Sequence, residues 1–209
     1  MFKGIADKLR GVESVFTRRV LLLNDGVKHR STLTIYKFKD EDGKVEEMLK
    51  KGVTQEFIAE HFPERLIAVR RFKGPFWNRA GNLCLNSGIQ GFEKMISGLS
   101  SPPNAWSSTY AYLGVGDSTT AAAATQTDLQ ASTNYTYVAM SSSYPSQSSQ
   151  TLSWQASFGS SSANYAWNEF VISNASSKGS GTCINRLVSS QGTKTSGQTW
   201  VLTVSITWS

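Results

Sequence analysis

Nucleophilic catalysis needs a nucleophile with a base beside it, and acid–base catalysis needs carboxyls held in distinct environments. The 209-residue chain offers little of either. It has two histidines, His29 and His61, and two cysteines, Cys84 and Cys183, all far apart in sequence. A zinc site takes about four ligands at recognisable spacing, and none of these residues has such neighbours, so no metal ligand is expected. Beyond Gly98 the acids are Asp117, Asp128 and Glu169, with no histidine, a set that builds neither a Ser/His/Asp triad nor, with any ease, an acid pair. Earlier, Asp40, Glu41, Asp42, Glu46 and Glu47 cluster with lysines around Asp42-Gly43, a pattern that reads as a solvated hairpin tip. Neither a phosphate-binding Walker loop nor a Rossmann glycine pattern occurs. The expectation is a protein that is not an enzyme, with no catalytic residue and no cofactor. The cysteines read as buried thiols.

Binding chemistry is better represented. Arg18, Arg19, Arg70, Arg71 and Lys73 are candidate partner-contact residues, and Lys28-His29-Arg30 forms a further basic group. They suit phosphates or an acidic protein neighbour, and equally a solvated surface. Residues 52–62 have the pattern of the first helix of a helix-turn-helix. A recognition helix should follow after a short turn, but Pro63 precedes the strand-like run Leu66 to Val69, so no specific nucleic acid is expected. Tyr110, Tyr112, Tyr135, Tyr137, Tyr144 and Trp106 could stack on sugars, fill an interface or sit in a core.

These residues lie in two compositionally different halves. The formal charge is +6, and 30 of the 36 charged side chains precede Gly98. Serine and threonine then rise to about one residue in three, interleaved with Trp and Tyr. Such a break separates domains, and Ser100-Ser101-Pro102-Pro103-Asn104 punctuates it. The reading divides the chain into a charged α+β adaptor region (1–80), a helix and linker (81–104) and a Ser/Thr-rich antiparallel β-sandwich (105–209). No run of about 18 apolar residues is present, so no membrane span is expected. The first ten residues alternate charge with apolar side chains, unlike a secretion signal, so synthesis and maturation in a cytoplasm are expected.

Period-two patterning identifies the strands of the second half. Trp200, Leu202, Val204, Ile206 and Trp208 alternate with Thr199, Val201, Thr203, Ser205 and Thr207, an apolar row against a mostly hydroxyl row. Leu152, Trp154, Ala156 and Phe158 repeat it. Runs at 110–115, 134–140, 167–172 and 184–188 add four strands, separated by Gly/Ser/Asp turns. In the first half a helical stripe joins Phe2, Ile5, Leu9, Val12 and Phe16. Leu33 to Phe38 and a short run at Val45 would flank the hairpin turn. Short helices are expected over 46–51 and from Thr54 to Phe62, where Thr54 caps and Pro63 stops. A longer helix over 88–98 should place Ile89, Phe92, Met95, Ile96 and Leu99 inward.

The order of motifs then carries a resemblance. Asn82 to Ile89 leads into a helix, followed by Tyr112-Leu113-Gly114-Val115-Gly116-Asp117-Ser118-Thr119-Thr120, Ala121 to Ala124 and Asp128-Leu129. Trp167-Asn168-Glu169-Phe170-Val171-Ile172, Asn185-Arg186-Leu187-Val188, Lys194-Thr195 and the terminal strand Thr199 to Trp208 complete it. Over about residues 80–209 this layout resembles a family of tailed-bacteriophage virion structural proteins. The patterning gives an α+β N-terminal region followed by an all-β antiparallel, jelly-roll-like sandwich, and the resemblance implies a place in the virion after synthesis in the host cytoplasm. The resemblance does not choose among virion roles; the leading expectation is a capsid decoration or cement protein, a homo-oligomer bound to the major capsid protein or other virion proteins. The alternative is a tail or tail-fibre component involved in host attachment. The segment 121–133 lacks the basic residue the layout carries near its second motif, and residues 1–80 match no family.

Overall fold

The terminal alternation is realised as a long strand whose Trp200, Leu202, Val204 and Ile206 side chains are all buried. The computed structural model describes residues 29–75, 82–98 and 101–208; the stripe Phe2 to Phe16, the pair Arg18-Arg19 and Leu99 lie outside them. In chain order the elements are β1 (His29–Lys39), α1 (Lys44–Lys50), α2 (Gln55–His61), a single 3-10 turn (Pro63–Arg65) and β2 (Leu66–Pro75). Then follow β3 (Asn82–Cys84), α3 (Asn86–Ser97), β4 (Tyr112–Gly116), β5 (Tyr135–Ala139) and β6 (Ser146–Ser148). The last are β7 (Thr151–Phe158), β8 (Glu169–Ser173), β9 (Cys183–Val188) and β10 (Gln198–Trp208).

The strands form two five-stranded antiparallel sheets, ordered β2-β1-β10-β7-β6 and β3-β9-β8-β4-β5. Their facing sides enclose the core. Trp167 stands at its centre, with ring centroids 4.7 Å from Phe158, 4.8 Å from Trp200 and 6.2 Å from Phe170, all edge-on. Edge-to-face contacts of this kind add about 0.5–1.5 kcal/mol each beyond area burial. The β-sandwich expected of the second half is therefore present.

Its extent is greater than the composition suggested. β1 and β2 come from the charged half, yet β1 lies directly against β10, and residues 29–207 form one compact unit. The change near residues 80–104 is a change of surface chemistry, not a break in the fold. Val201 shows why: on the hydroxyl row of β10, it is buried with Tyr36, Phe38, Val45 and Ile58. The helices α1 and α2 pack there on the outer face of the first sheet, supplying the apolar cover that hydroxyl-rich strands cannot supply for themselves.

The hairpin expected around Asp42-Gly43 is not formed. Asp40 is fully buried; its Oδ1 accepts from Val45 N at 2.8 Å and its Oδ2 from Glu46 N at 3.0 Å. These bonds satisfy free amides of the first helical turn, so the chain enters α1 instead of a returning strand. Thr199 Oγ1 donates to the same carboxylate at 2.7 Å, tying the helix to β10. Three of the remaining acids pair locally: Glu46 with Lys50, Glu47 with Lys51, and Asp42 with both Lys44 and Arg65. The hydrogen bond from Arg65 holds the Asp42 carboxyl well below the usual carboxylate range.

Thr54 caps α2 as expected, accepting from Phe57 N, and the strand expected after Pro63 is β2. Helix α3 departs from its apolar stripe. Ile96 is 87% exposed, while Gly88 and Gly91 are the buried positions. A Cβ on Gly88 would lie 2.6 Å from Ile184 O, so the helix docks on β9 through absent side chains.

Candidate functional site

Of the residues that carried the sequence resemblance, those of β4, β8 and β9 meet in the second sheet, where they serve the fold. Glu169 on β8 and Arg186 on β9 are both fully buried, with Arg186 Nε and Nη2 each 2.7 Å from Glu169 Oε2. The carboxylate also accepts from Gln130 N and Ala131 N, and Arg186 Nη1 donates to Gln126 Oε1 at 3.0 Å. This fastens the long loop before β5 to the sheet. Gly116 on β4 has no Cβ because one would stand 2.5 Å from Glu169 Oε1, and Gly114 similarly clears Tyr137 and Val171. The glycines, the glutamate and the arginine form one joint.

Two further buried groups behave alike. Asp128 accepts from Tyr137 Oη, Leu129 N and Gly179 N, with Cys183 Sγ at 3.4 Å. Burial, with the Asp128 charge beside both, pushes the Tyr137 phenol and Cys183 thiol upward. Cys84 is also a free buried thiol, pushed up to about 12 by burial. Lys194 is buried with Nζ donating to Gly159 O, Ser162 O and Asn164 Oδ1 at 2.8–2.9 Å, and burial lowers it to about 8. Among the described residues no three His, Cys, Asp or Glu side chains are placed to hold a metal ion. None of the described helices is long and apolar enough to cross a membrane.

The open features lie on the outer face of the first sheet. Its far part carries a ladder of side-chain hydrogen bonds between β7 and β10: Thr151 to Thr207 and Ser153 to Ser205, both at 2.7 Å, then Gln155 to Thr203 at 3.0 Å. The ladder runs into a cleft of about 590 Å³ between the α1–α2 segment and the loop joining β5 to β6. Thr54, Gln55 and Glu56 line one wall, Ser141 to Tyr144 the other, and Gln155 and Ser157 the floor. A second hollow of about 320 Å³ shares Gln55, Glu56 and Tyr144 and continues the cleft over Thr32, Thr34, Arg71 and Lys73.

The sequence candidates are thus partly gathered. Arg71 and Lys73 project from one face of β2, opposite Thr34 and Thr32 of β1. Arg70 belongs to the other face; burial of Lys37, with the Arg70 charge as a smaller cause, lowers that lysine to about 8. Of the candidate stacking aromatics, Trp106 is core, with Nε1 donating to Thr182 O at 3.0 Å; Tyr144 belongs to the cleft. No motif spacing could have found the cleft and its continuation, because their residues come from six separate segments. No protein-family model matches the chain, and no match to a curated protein or to a solved structure is found.

Proposed function

We propose that the chain is a tailed-bacteriophage virion structural protein, with capsid decoration as its leading role. The observation that carries this reading is the hydroxyl ladder on β7 and β10. Burying a polar group without a partner costs about 1–3 kcal/mol in proteins, and ordering long charged side chains costs up to about 2 kcal/mol each. A strip of Ser and Thr already bonded to one another avoids both costs when another protein covers it. Such a strip suits close packing against the major capsid protein or a second copy. The described buried ionisable groups Glu169, Arg186, Asp128, Asp40 and Lys194 are engaged in bonds within the fold, which accords with a scaffold and not with proton transfer. The ordered motifs of residues 80–209 supply the virion context.

Binding only the assembled shell stabilises that shell by mass action. Purified protein added to shells that lack it should therefore bind saturably and raise their melting temperature. Failure of either, with host-cell binding in its place, would favour the second reading, a tail component for attachment. The open cleft on the same sheet face supports that alternative.

A further inference from the structure

We propose that the cleft between the α1–α2 segment and the β5–β6 loop, continued to Arg71 and Lys73, binds a short acidic oligosaccharide. The inference does not depend on where in a virion the chain resides. The cleft and its continuation, at about 590 and 320 Å³, have the size of ligand sites, which run from roughly 300 to 1,000 Å³.

The lining decides the class of ligand. The floor is a sheet face, so its backbone groups are consumed in the strand ladders and, from the floor, only side chains reach a ligand. Beside the apolar Leu49, Val53 and Met140 and the paired Glu46 and Lys50, the side chains presented are hydroxyls and amides, each able to donate and to accept, which matches the alternating demands of sugar hydroxyls. They are also held in place. Gln155, 5% exposed, donates from Nε2 to both Tyr144 Oη at 3.2 Å and Thr203 Oγ1 at 3.0 Å. Gln55 Nε2 donates to Glu56 Oε1 at 2.8 Å, orienting a carboxylate that can accept from a pair of hydroxyls. Tyr144, half-buried between the two hollows, offers the apolar surface with a polar tip that suits a sugar ring. Little side-chain ordering remains for the ligand to impose.

Charge sets the polarity of the site. Arg71 and Lys73 are exposed and make no ion pair among those of the described residues. Two cations beside Thr32 and Thr34 at one end call for a carboxylate or phosphate there, the guanidinium being suited to bidentate contact. Two cations with Glu56 between them and the deeper cleft are poor provision for a polynucleotide, which needs a run of phosphate contacts.

The test is a nitrogen-15 NMR titration of the full chain with tetrasaccharides of galacturonate, sialate and phosphorylated mannose, against maltotetraose and tetraglutamate. At least one acidic sugar should shift the amides of Gln55, Tyr144, Gln155 and Thr203 saturably and more tightly than maltotetraose. The double variant Arg71→Gln/Lys73→Gln should bind it about tenfold more weakly or worse with an otherwise unchanged spectrum. Tyr144→Ala should lose binding, and Glu56→Gln should keep or strengthen the charge-dependent part. Three results would overturn the proposal: no cleft shifts by any acidic sugar up to about 10 mM, tighter binding of tetraglutamate there, or full affinity in the double variant.

Discussion

Glu169 and Arg186 show how much one buried pair can organise. Taking two charges out of water costs several kcal/mol per ion, recovered only through close geometry and further hydrogen bonds. Here the carboxylate accepts from two backbone amides as well as the guanidinium. Arg186→Met should therefore destabilise the protein by about 3–5 kcal/mol, the usual cost of stranding a buried charge, read by urea unfolding. The double variant Glu169→Leu/Arg186→Met should recover part of this loss. Recovery stays incomplete because Gln130 N and Ala131 N lose their acceptor, at about 1–3 kcal/mol each.

Titration belongs to the same scale. Cys84 and Tyr165 are raised to about 12 by burial, and burial raises Tyr137 and Cys183 as well. A raised acid keeps its proton longer when folded, so its stabilisation is complete below the unfolded pKa and is lost as pH climbs to the folded one. Lys37 and Lys194, lowered to about 8, act oppositely: their unfolded forms hold the proton up to about 10.5, so they add stability as pH rises from 8 to that value. Above it only the acids remain. The unfolding free energy should fall between about pH 10.5 and 12, and Cys84→Ala/Cys183→Ala should flatten that fall. A stability that stays level there would contradict the buried placement of these groups.

At the scale of elements, α1 and α2 depend on one carboxylate. Asp40→Ala removes the acceptor for Val45 N, Glu46 N and Thr199 Oγ1. It should cost about 2 kcal/mol, the upper range for losing a cap, and speed amide exchange in α1 and α2 before the sandwich. Gly116→Ala tests the opposite face of the molecule. Its Cβ meets the Glu169 carboxylate, and such overpacking typically costs about 1–3 kcal/mol.

These elements also mark what the sequence made legible. Strands with unbroken alternation, β7 and β10 above all, could be read because one face is buried and one is not. The three-residue strands β3 and β6 could not, since period two has no meaning over so few positions, and both are sheet edges. Around Asp42-Gly43 the local signal fits a hairpin turn, but a helix results because Asp40 finds amides five and six residues ahead and a hydroxyl on β10. The inward face of α3 was misjudged at Ile96 since glycines, which leave no hydropathy signal, make the contact. Of the candidate site, Arg71 and Lys73 were visible as a basic pair. Gln155 and Gln55 were not, because nothing in their neighbourhoods hints that separate segments bring them together.

For the molecule as a whole, the compositional asymmetry acquires a physical sense. The residues before Gly98 supply the helices, two strands that complete the first sheet and the short edge strand β3 of the second, and the Ser/Thr-rich segment supplies the other strands and the bonded hydroxyl surface. A surface of this kind is inexpensive to cover, which is what a repeated shell contact requires. Symmetric oligomerisation would present several copies of the ladder at once. The central claim, residence on the phage head, is tested most directly by a cryo-EM map of the particle that carries the chain. The decoration role predicts density for residues 29–207 repeated over the icosahedral shell, with the β7–β10 face against a neighbour. Density confined to the tail would move the role to attachment, and a particle with no such density anywhere would contradict the virion assignment itself.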